Sequence, residues 1–572
     1  MPRIKLLSEA LQNLIAAGEV IERPASIVKE LVENSLDAGS TDIRIDILKG
    51  GKRSIRVDDN GDGMSREDAR LCFLKHATSK LGSAEDLHRI NTMGFRGEAL
   101  SSVAAVSKMR IRTSEKGQTT GTEIQIDGGD VVAEKDATSV GTSIEVRDLF
   151  YNTPARKKFL KKDNTELHHI VDVVTKLSLI NFEVSFTLRS DGRDLLRLHK
   201  ASGLKERIIQ HFGMEMIDTM IPVSMKDETR GISISGFIAS ERALRRRRAN
   251  QYLFVNGRPI MDSSLRHAIY KAYEGFANRD EHPLYLLDIK LAPGSIDVNV
   301  HPAKREIRFL EMDALYDDIR DLTENALKEQ YDSFGDKGHK ADKDRMVSHV
   351  ADLTSVNGAT LYSGKVDVSE RPERMVSEPA GLDYKVQRRY LYLGDVFAAY
   401  TENGIFCIVD HHAAHERVLY EKLRGGIGLD VNGLLFPKQV RLGAKEYLAI
   451  LDHIGIIKDM GMDVEDFGGN TVIVRSVPSM IDESDISVIL EDMATGLTDI
   501  RKGSPVEDIR DDLAKRVACH SSIRGKRLLG NEQMTQLLKD LEGADDPHHC
   551  PHGRPTRLYF SQDDLKKMFE RM

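Results

Sequence analysis

Apolar residues between positions 26 and 38 fall at Ile27, Val28, Leu31, Val32 and Leu36, the spacing of one helical face. Glu30, Glu33, Asn34 and Asp37 occupy the opposite face, which this pattern predicts to be solvated. The period then changes. Ile43, Ile45 and Ile47 alternate with polar residues and predict a half-buried strand, and Ile55-Arg56-Val57 predicts a second one. Helix-like and strand-like stretches alternate to about Gln330. From Asp332 the apolar positions thin out, and Asp336, Lys337, His339, Lys340, Asp342, Lys343, Asp344 and Arg345 crowd together ahead of Ser, Gly, Glu and Pro. Such a stretch buries too little surface to order itself and reads as a flexible linker over 331–385. Order resumes near Tyr390, where Ile405-Phe406-Cys407-Ile408-Val409 predicts a buried strand. The pattern describes two folded halves on a tether, without an internal repeat.

Composition narrows the class. The 572 residues favour roughly three or four domains. An apolar fraction of 40% and a charged fraction of 30% describe a soluble globular chain. No apolar run approaches the ~20 residues of a membrane span. Met1 to Ala10 carries Arg3 and Lys5 but no apolar signal core. Four cysteines are too few for a disulfide framework and fit a reducing interior, so an intracellular setting without membrane contact is expected. With a net charge of −8, nucleic-acid binding would rest on local basic patches.

Candidate chemistry begins after the second strand, at Asp58-Asp59-Asn60-Gly61-Asp62-Gly63, which taken alone is a tight acidic turn. Thr78-Ser79-Lys80, Gly94-Phe95-Arg96-Gly97-Glu98-Ala99-Leu100 and Gly141-Thr142 follow in order. GxxxxGK[ST] is absent, so the common phosphate loop does not supply a nucleotide site. Together these blocks resemble the ATP-binding fold shared by gyrase, heat-shock chaperones, histidine kinases and MutL. The resemblance implies that Glu33 is the general base, that Asn34 holds Mg²⁺ and that Asp59 accepts from the adenine amino group. It extends the nucleotide site to Asp37, Ala38, Asn60, Gly63, Thr78, Ser79, Lys80, the 94–100 segment and Thr142. Glycines at 94 and 97 permit close backbone approach to phosphates.

Leu149-Phe150-Tyr151-Asn152-Thr153-Pro154-Ala155-Arg156-Lys157-Lys158-Phe159-Leu160 is similar to a signature of the MutL family. Phe254-Val255-Asn256-Gly257-Arg258-Pro259 and Asp297-Val298-Asn299-Val300-His301-Pro302-Ala303-Lys304 continue the match. The resemblance implies a second α+β domain and places the Lys304 ammonium at the γ-phosphate. Arg242 and Arg245 to Arg248 form one basic run, and Arg156, Lys157, Lys158, Lys161 and Lys162 another; either is a solvated loop or a phosphate-contacting patch. Arg245, Arg246, Arg258 and Arg266 are the candidates for DNA contact.

Asp410-His411-His412-Ala413-Ala414-His415-Glu416 follows the strand ending at Val409. A helix starting there would place the Asp410 carboxylate at its N-terminus, with His412 and Glu416 one turn apart. Ala518-Cys519-His520 and Cys550-Pro551-His552-Gly553-Arg554-Pro555 come later. Thiolate, imidazole and carboxylate suit Zn²⁺, with Mn²⁺ at an oxygen-rich position. These blocks, with Phe569-Glu570-Arg571, resemble the endonuclease-bearing MutL proteins. That resemblance makes Asp410 and Glu416 catalytic, makes His412, Glu416, Cys519, Cys550 and His552 metal ligands, and adds Glu421 to the first block. At the family's clamp-binding peptide this chain has Asn432 where Gln is usual, in Asn432-Gly433-Leu434-Leu435-Phe436-Pro437, which leaves the replication sliding clamp open as a partner.

The expected architecture is therefore α+β and multidomain. It comprises a gyrase-like ATPase α/β sandwich over 1–210, a second α+β domain over 211–330, the linker, and a dimerisation and endonuclease domain over 386–572 with an inserted subdomain at 426–517. The implied function is DNA mismatch repair by an ATP-gated homodimer acting with MutS on double-stranded DNA. ATP, Mg²⁺ and Zn²⁺ or Mn²⁺ are the implied cofactors. The alternative is a non-catalytic, ATP-driven matchmaker whose zinc is structural.

Overall fold

The computed structural model describes residues 20–80, 97–118, 120–138, 140–240, 243–244, 250–274, 276–277, 281–292, 295–297, 308–309, 312–330, 390–394, 396–402, 404–425, 430–499, 505–522, 529–569 and 571. Gly94, Phe95, Arg96, Arg245, Arg246, Lys304 and the linker lie outside them. The chain divides into two compact units, 1–326 with 423–517, and 327–422 with 518–572.

In the first unit, the alternation at Ile43, Ile45 and Ile47 becomes strand β1 (Asp42–Leu48), with all three side chains at most 1% exposed. It pairs antiparallel with β2 (Ser54–Asp59), so Asp59 stands opposite Ile43. Six more strands extend the sheet: β3 (Lys108–Ser114), β4 (Gly121–Asp127), β5 (Asp130–Ala137), β6 (Gly141–Arg147), β7 (Ser185–Ser190) and β8 (Arg193–Leu198), in the order β5-β4-β3-β6-β2-β1-β7-β8. Only β1 and β7 among these neighbours run parallel. Helices α1 (Pro24–Asp37), α2 (Ala99–Ala105) and α3 (Asp163–Ile180) pack on its apolar side. Pro24 opens α1, where its missing N–H costs no hydrogen bond. Ile27, Val28, Leu31 and Val32 of α1 are buried and Leu36 is half-buried.

The other face of this sheet carries charged ladders. Glu123 of β4 is 2% exposed and sits 2.5 Å from Arg112 Nε and 3.4 Å from Lys135 Nζ, with Gln125 Nε2 donating at 2.8 Å. Burial alone would raise its carboxyl. The hydrogen bonds from Gln125, Arg112 and Lys135 outweigh that and pull it down to about 2.

A second sheet in this unit has the order β12-β11-β13-β10-β9, built from β9 (Met220–Asp227), β10 (Ile232–Ala239), β11 (Gln251–Val255), β12 (Arg258–Ile260) and β13 (Tyr285–Lys290). Asn256 and Gly257, at φ 47° and 76°, make the two-residue turn between β11 and β12. Both central positions need positive φ, which is why Asn-Gly stands there. Helix α4 (Ser263–Ala272) connects onward, capped by Asp262, whose carboxylate accepts from Ser264 N at 2.8 Å and Leu265 N at 2.9 Å. A short ribbon pairs β14 (Ile296–Asp297) with β15 (Arg308–Phe309). The 423–517 part of the unit holds a three-stranded sheet of β19 (Val431–Arg441), β20 (Asp463–Gly468) and β21 (Thr471–Pro478), with β21 central. Within β19, Leu435 and Phe436 are 85% and 81% exposed where the pairing slips between Gly433 and Lys438.

The second unit is a four-stranded antiparallel sheet, β16 (Leu391–Leu393), β17 (Phe397–Glu402), β18 (Ile405–Asp410) and β22 (Arg557–Phe560), in that order. Its inner face packs against α5 (His411–Gly425) and α7 (Asn531–Glu542) through Tyr400, Cys407, Val409, Ala414, Val418, Met534, Leu538 and Leu541. The division between the units falls within helix α6 (Val506–Ser522), and Cys519 belongs to the second unit. The apolar run 405–409 is not buried on both sides as expected. Cys407 and Val409 are core residues, whereas Phe406 and Ile408 lie on an outer apolar face with Leu558 and Phe560, their partners across the β18–β22 pairing.

Candidate functional site

The first cleft lies at the C-terminal half of α1. Helical spacing sets Glu30, Glu33, Asn34 and Asp37 on one face, but this face is a wall rather than a solvated surface. Glu33 is only 5% exposed. Lys29, one turn earlier, places its ammonium 2.9 Å from Glu33 and 3.3 Å from Glu30. Lys80 Nζ donates to Asn34 Oδ1 at 2.8 Å and to Asp37 Oδ2 at 2.6 Å. Lys80 N in turn donates to Thr78 Oγ1 at 3.2 Å.

Opposite this wall, Asp59 ends β2. Its carboxylate accepts from Ser35 Oγ at 2.7 Å and from Gly61 N at 2.9 Å, so the acid is aimed by two donors. Thr142 faces Asp59 across the β2–β6 pairing and bonds Thr113 Oγ1 at 3.0 Å. Ala38 receives Asp62 N on its carbonyl at 3.0 Å. Gly63, at φ +70°, passes so near Ser114 that a Cβ would fall 1.9 Å from its carbonyl oxygen, a spacing only glycine permits. Gly97, also at positive φ, packs on Ala77 and Thr78, and Glu98, Ala99 and Leu100 then start α2. Asn60 does different work: its Oδ1 accepts from Thr41 N and Asp42 N at 2.8 and 2.9 Å, which pins the start of β1. Lys29 and Ser35 escaped the sequence reading. Lys29 was legible as an i,i+4 partner of Glu33, but nothing local points Ser35 at Asp59.

Arg258, one of the candidates for DNA contact, is buried at 9% exposure on β12. Burial lowers its pKa, opposed by the charges of Glu33, Asp37 and Glu30, so its guanidinium answers the acids of α1 rather than solvent. Arg266, on α4, is half-buried and lines a cavity of 310 Å³ with Asp172, Lys176, Asp262 and Glu446.

In the second unit the strand β18 hands directly into α5. Asp410 caps the helix, its Oδ1 accepting from His412 N at 3.0 Å and Ala413 N at 2.9 Å. Glu416 is 4% exposed and Cys550 is 1% exposed. Their donor atoms and a ring nitrogen of His552 all lie within 4.8 Å of one another. His552 Nδ1 is 2.8 Å from Glu416 Oε1, and His552 N donates to Cys550 Sγ at 3.4 Å. Burial raises the Glu416 carboxyl, but the bond and charge of His552, with help from Cys550 and His412, hold it below the ordinary carboxylate range. Among the described residues no other such group of donors occurs, and His412 and Cys519 stand outside this one. Glu421 is elsewhere again, accepting from Asp545 N at 2.8 Å and Asp546 N at 3.4 Å.

A buried carboxylate, a thiol and an imidazole in such proximity have the donor chemistry of a zinc site with three protein ligands. Residues 22–150, which hold the first cleft, match a family model described as histidine kinase-, DNA gyrase B-, and HSP90-like ATPase. Residues 392–529 match MutL C terminal dimerisation domain, and 208–328 match DNA mismatch repair protein, C-terminal domain. The protein thus carries an ATPase domain of the gyrase and Hsp90 class together with a dimerisation domain.

Curated relatives extend over the whole chain. The DNA mismatch repair protein MutL of Thermodesulfovibrio yellowstonii is 36% identical over 572 residues, and that of Trichlorobacter lovleyi is 37% identical over 596, each pairing covering 100% of both chains. The chain belongs to the MutL family of DNA mismatch repair proteins. Among solved structures, the Aquifex aeolicus MutL ATPase domain complexed with ADP is 34% identical, covers 48% of this chain and 94% of that one, and has a TM-score of 0.36. No described helix is long and apolar enough to cross a membrane.

Proposed function

We propose that this MutL-family chain works as an ATP-gated homodimer that nicks double-stranded DNA at the Glu416–Cys550–His552 centre. The convergence of those three donors within 4.8 Å carries the reading. Three protein ligands leave a position open, as catalytic zinc sites do and closed structural sites do not. A zinc or manganese ion held there would lower the pKa of its water and stabilise a phosphodiester transition state. Asp410, at the mouth of α5, supplies the further negative charge; His412 on α5 and Cys519 on α6, which stand outside the three-donor group, are proposed as ligands of a second ion rather than of this one. MutS is the proposed mismatch-recognition partner, and the exposed Leu435 and Phe436 are the proposed contact for a sliding clamp.

At the first cleft, Glu33 is the proposed general base and Asn34 the proposed Mg²⁺ ligand, with Asp59 reading adenine and Lys304 sensing the γ-phosphate. ATP is the substrate there. The functional boundaries proposed are 1–210 for the ATPase domain, 211–330 for the second domain and 386–572 for dimerisation and nicking.

Asp410→Asn tests the nicking assignment. Asn keeps an acceptor for His412 N and Ala413 N and is an equally good helix cap, so the fold and zinc content should persist. Nicking of supercoiled DNA with Mn²⁺ should fall by about tenfold or more because the charge is gone. Parent-like nicking would reject the endonuclease assignment at this site and leave an ATP-driven matchmaker with a structural zinc.

A further inference from the structure

The loop bearing Cys550 and His552 is tied to α5 by a second set of side chains that bind no metal. Arg417 follows Glu416 directly and is 9% exposed. Its Nε donates to the carbonyl oxygen of His549, the residue before Cys550, at 2.5 Å. Its two terminal nitrogens lie 3.5 Å from Glu421 Oε1 and 3.5 Å from Asp546 Oδ2. The guanidinium also sits 5.3 Å over the Tyr420 ring, which restricts its rotamer. Glu421, one turn on, takes the backbone N–H groups of Asp545 and Asp546.

Two neighbouring faces of one helix therefore address one loop. One face offers Glu416 as a donor; the next offers Arg417 and Glu421 as a clasp. A planar guanidinium reaching three oxygens fixes orientation as well as distance, which a point charge cannot do. The clasp holds the loop backbone on both sides of Pro547 and His548, just before the two donors. Thr556 fastens the far end, its N–H donating to the His548 carbonyl at 2.9 Å.

We propose that Arg417 and Glu421 are positioning residues that pre-set the Cys550–His552 loop against Glu416, so that metal affinity depends on a clasp that touches no metal. The proposal rests on the reading that Glu416, Cys550 and His552 hold a metal. It assigns Glu421 to the loop rather than to the ion.

The test uses the full-length chain stripped of metal and titrated with zinc against a chromophoric chelator, beside Arg417→Ala, Arg417→Lys and Glu421→Gln. Losing an outer partner of a metal site typically weakens affinity ~10–100-fold, and that is the loss expected for Arg417→Ala. Arg417→Lys should recover little, since an ammonium cannot span His549, Glu421 and Asp546. Bound Co²⁺ should give a visible spectrum with shifted band positions in both Arg417 variants, reporting altered donor geometry rather than lost fold. Zinc affinity of Arg417→Ala within about twofold of the parent overturns the clasp, because outer partners that matter cost at least ~10-fold. Should circular dichroism show Arg417→Ala unfolded, Glu421→Gln decides, and parent-like zinc affinity in that variant overturns the proposal. Cys550→Ser separates the two readings. If the parent takes up no zinc beyond what Cys550→Ser takes up, the metal reading itself is wrong.

Discussion

Replacing Glu33 by Gln removes one negative charge and leaves the side-chain volume unchanged. The carboxylate is 5% exposed, so protein groups rather than bulk water surround it. Lys29 lies 2.9 Å from it and keeps a second partner in Glu30 at 3.3 Å. This pair is largely buried and Arg258 also answers the Glu33 charge, so an unfolding curve of the Gln variant separates any loss of stability from the loss of turnover. Turnover should register the substitution strongly. A positioned general base is worth ~10²–10⁴-fold, or about 2.7–5.4 kcal/mol of barrier. Phosphate release at saturating Mg·ATP should fall by that factor, while a fluorescent nucleotide analogue binds with unchanged or slightly better affinity because a charge repelling phosphate is gone. A turnover number within about threefold of the parent would remove Glu33 from the chemistry, since loss of a base acting in the transition state lowers kcat directly.

Two further outcomes follow from packing and charge. Phe406→Asp places a carboxylate on the outer apolar face beside Phe560, whose ring centroid is 6.3 Å away; sedimentation of the full chain should shift from dimer toward monomer, and an unchanged dimer would move the interface off this sheet. Glu123→Gln bears on acid stability: because the folded carboxyl sits near 2 against an ordinary 4.5, its stabilisation is complete above 4.5 and disappears as pH falls toward 2. The Gln variant should therefore lose stability at neutral pH and show a shallower acid limb in urea titrations. Parallel parent and variant curves between pH 5 and 2, a window taken from that same shift, would refute the assignment.

The elements were legible where one periodicity reports one face. Ile27 to Val32 and Ile43 to Ile47 each have a single buried side, and the alternation states it. Asp410 was legible because a cap acts within its own first turn. The apolar run at 405–409 was not, since a strand with one face on a core and an apolar outer face spells the same letters as a strand buried twice. Glu33 was read onto a solvated face because the second wall of the cleft, with Lys80 and Asp59, arrives from other elements. Arg258 shows the same limit in reverse. The Asn256-Gly257 turn leads straight into it on β12, but the acids that face it come from a helix more than 200 residues earlier. Arg417 and Glu421 sat in plain view beside a motif, yet only the 545–549 backbone reveals what they hold.

Lys80 is bonded at once to Asn34 and Asp37, and that arrangement has a thermodynamic consequence. If a divalent ion is taken up at Asn34 Oδ1, as proposed, it competes with the ammonium already there, and loading the cleft becomes an exchange of cations. The local charge then changes by less than the ion's own two units if the ammonium leaves, and not at all at Asp37 if Lys80 merely pivots. An ammonium that leaves is released beside the α1 wall, where an incoming polyphosphate can take it as a counter-charge. Metal and nucleotide uptake should consequently be coupled: each lowers the cost of the other through one lysine, and by reciprocity their affinities rise together by the same factor.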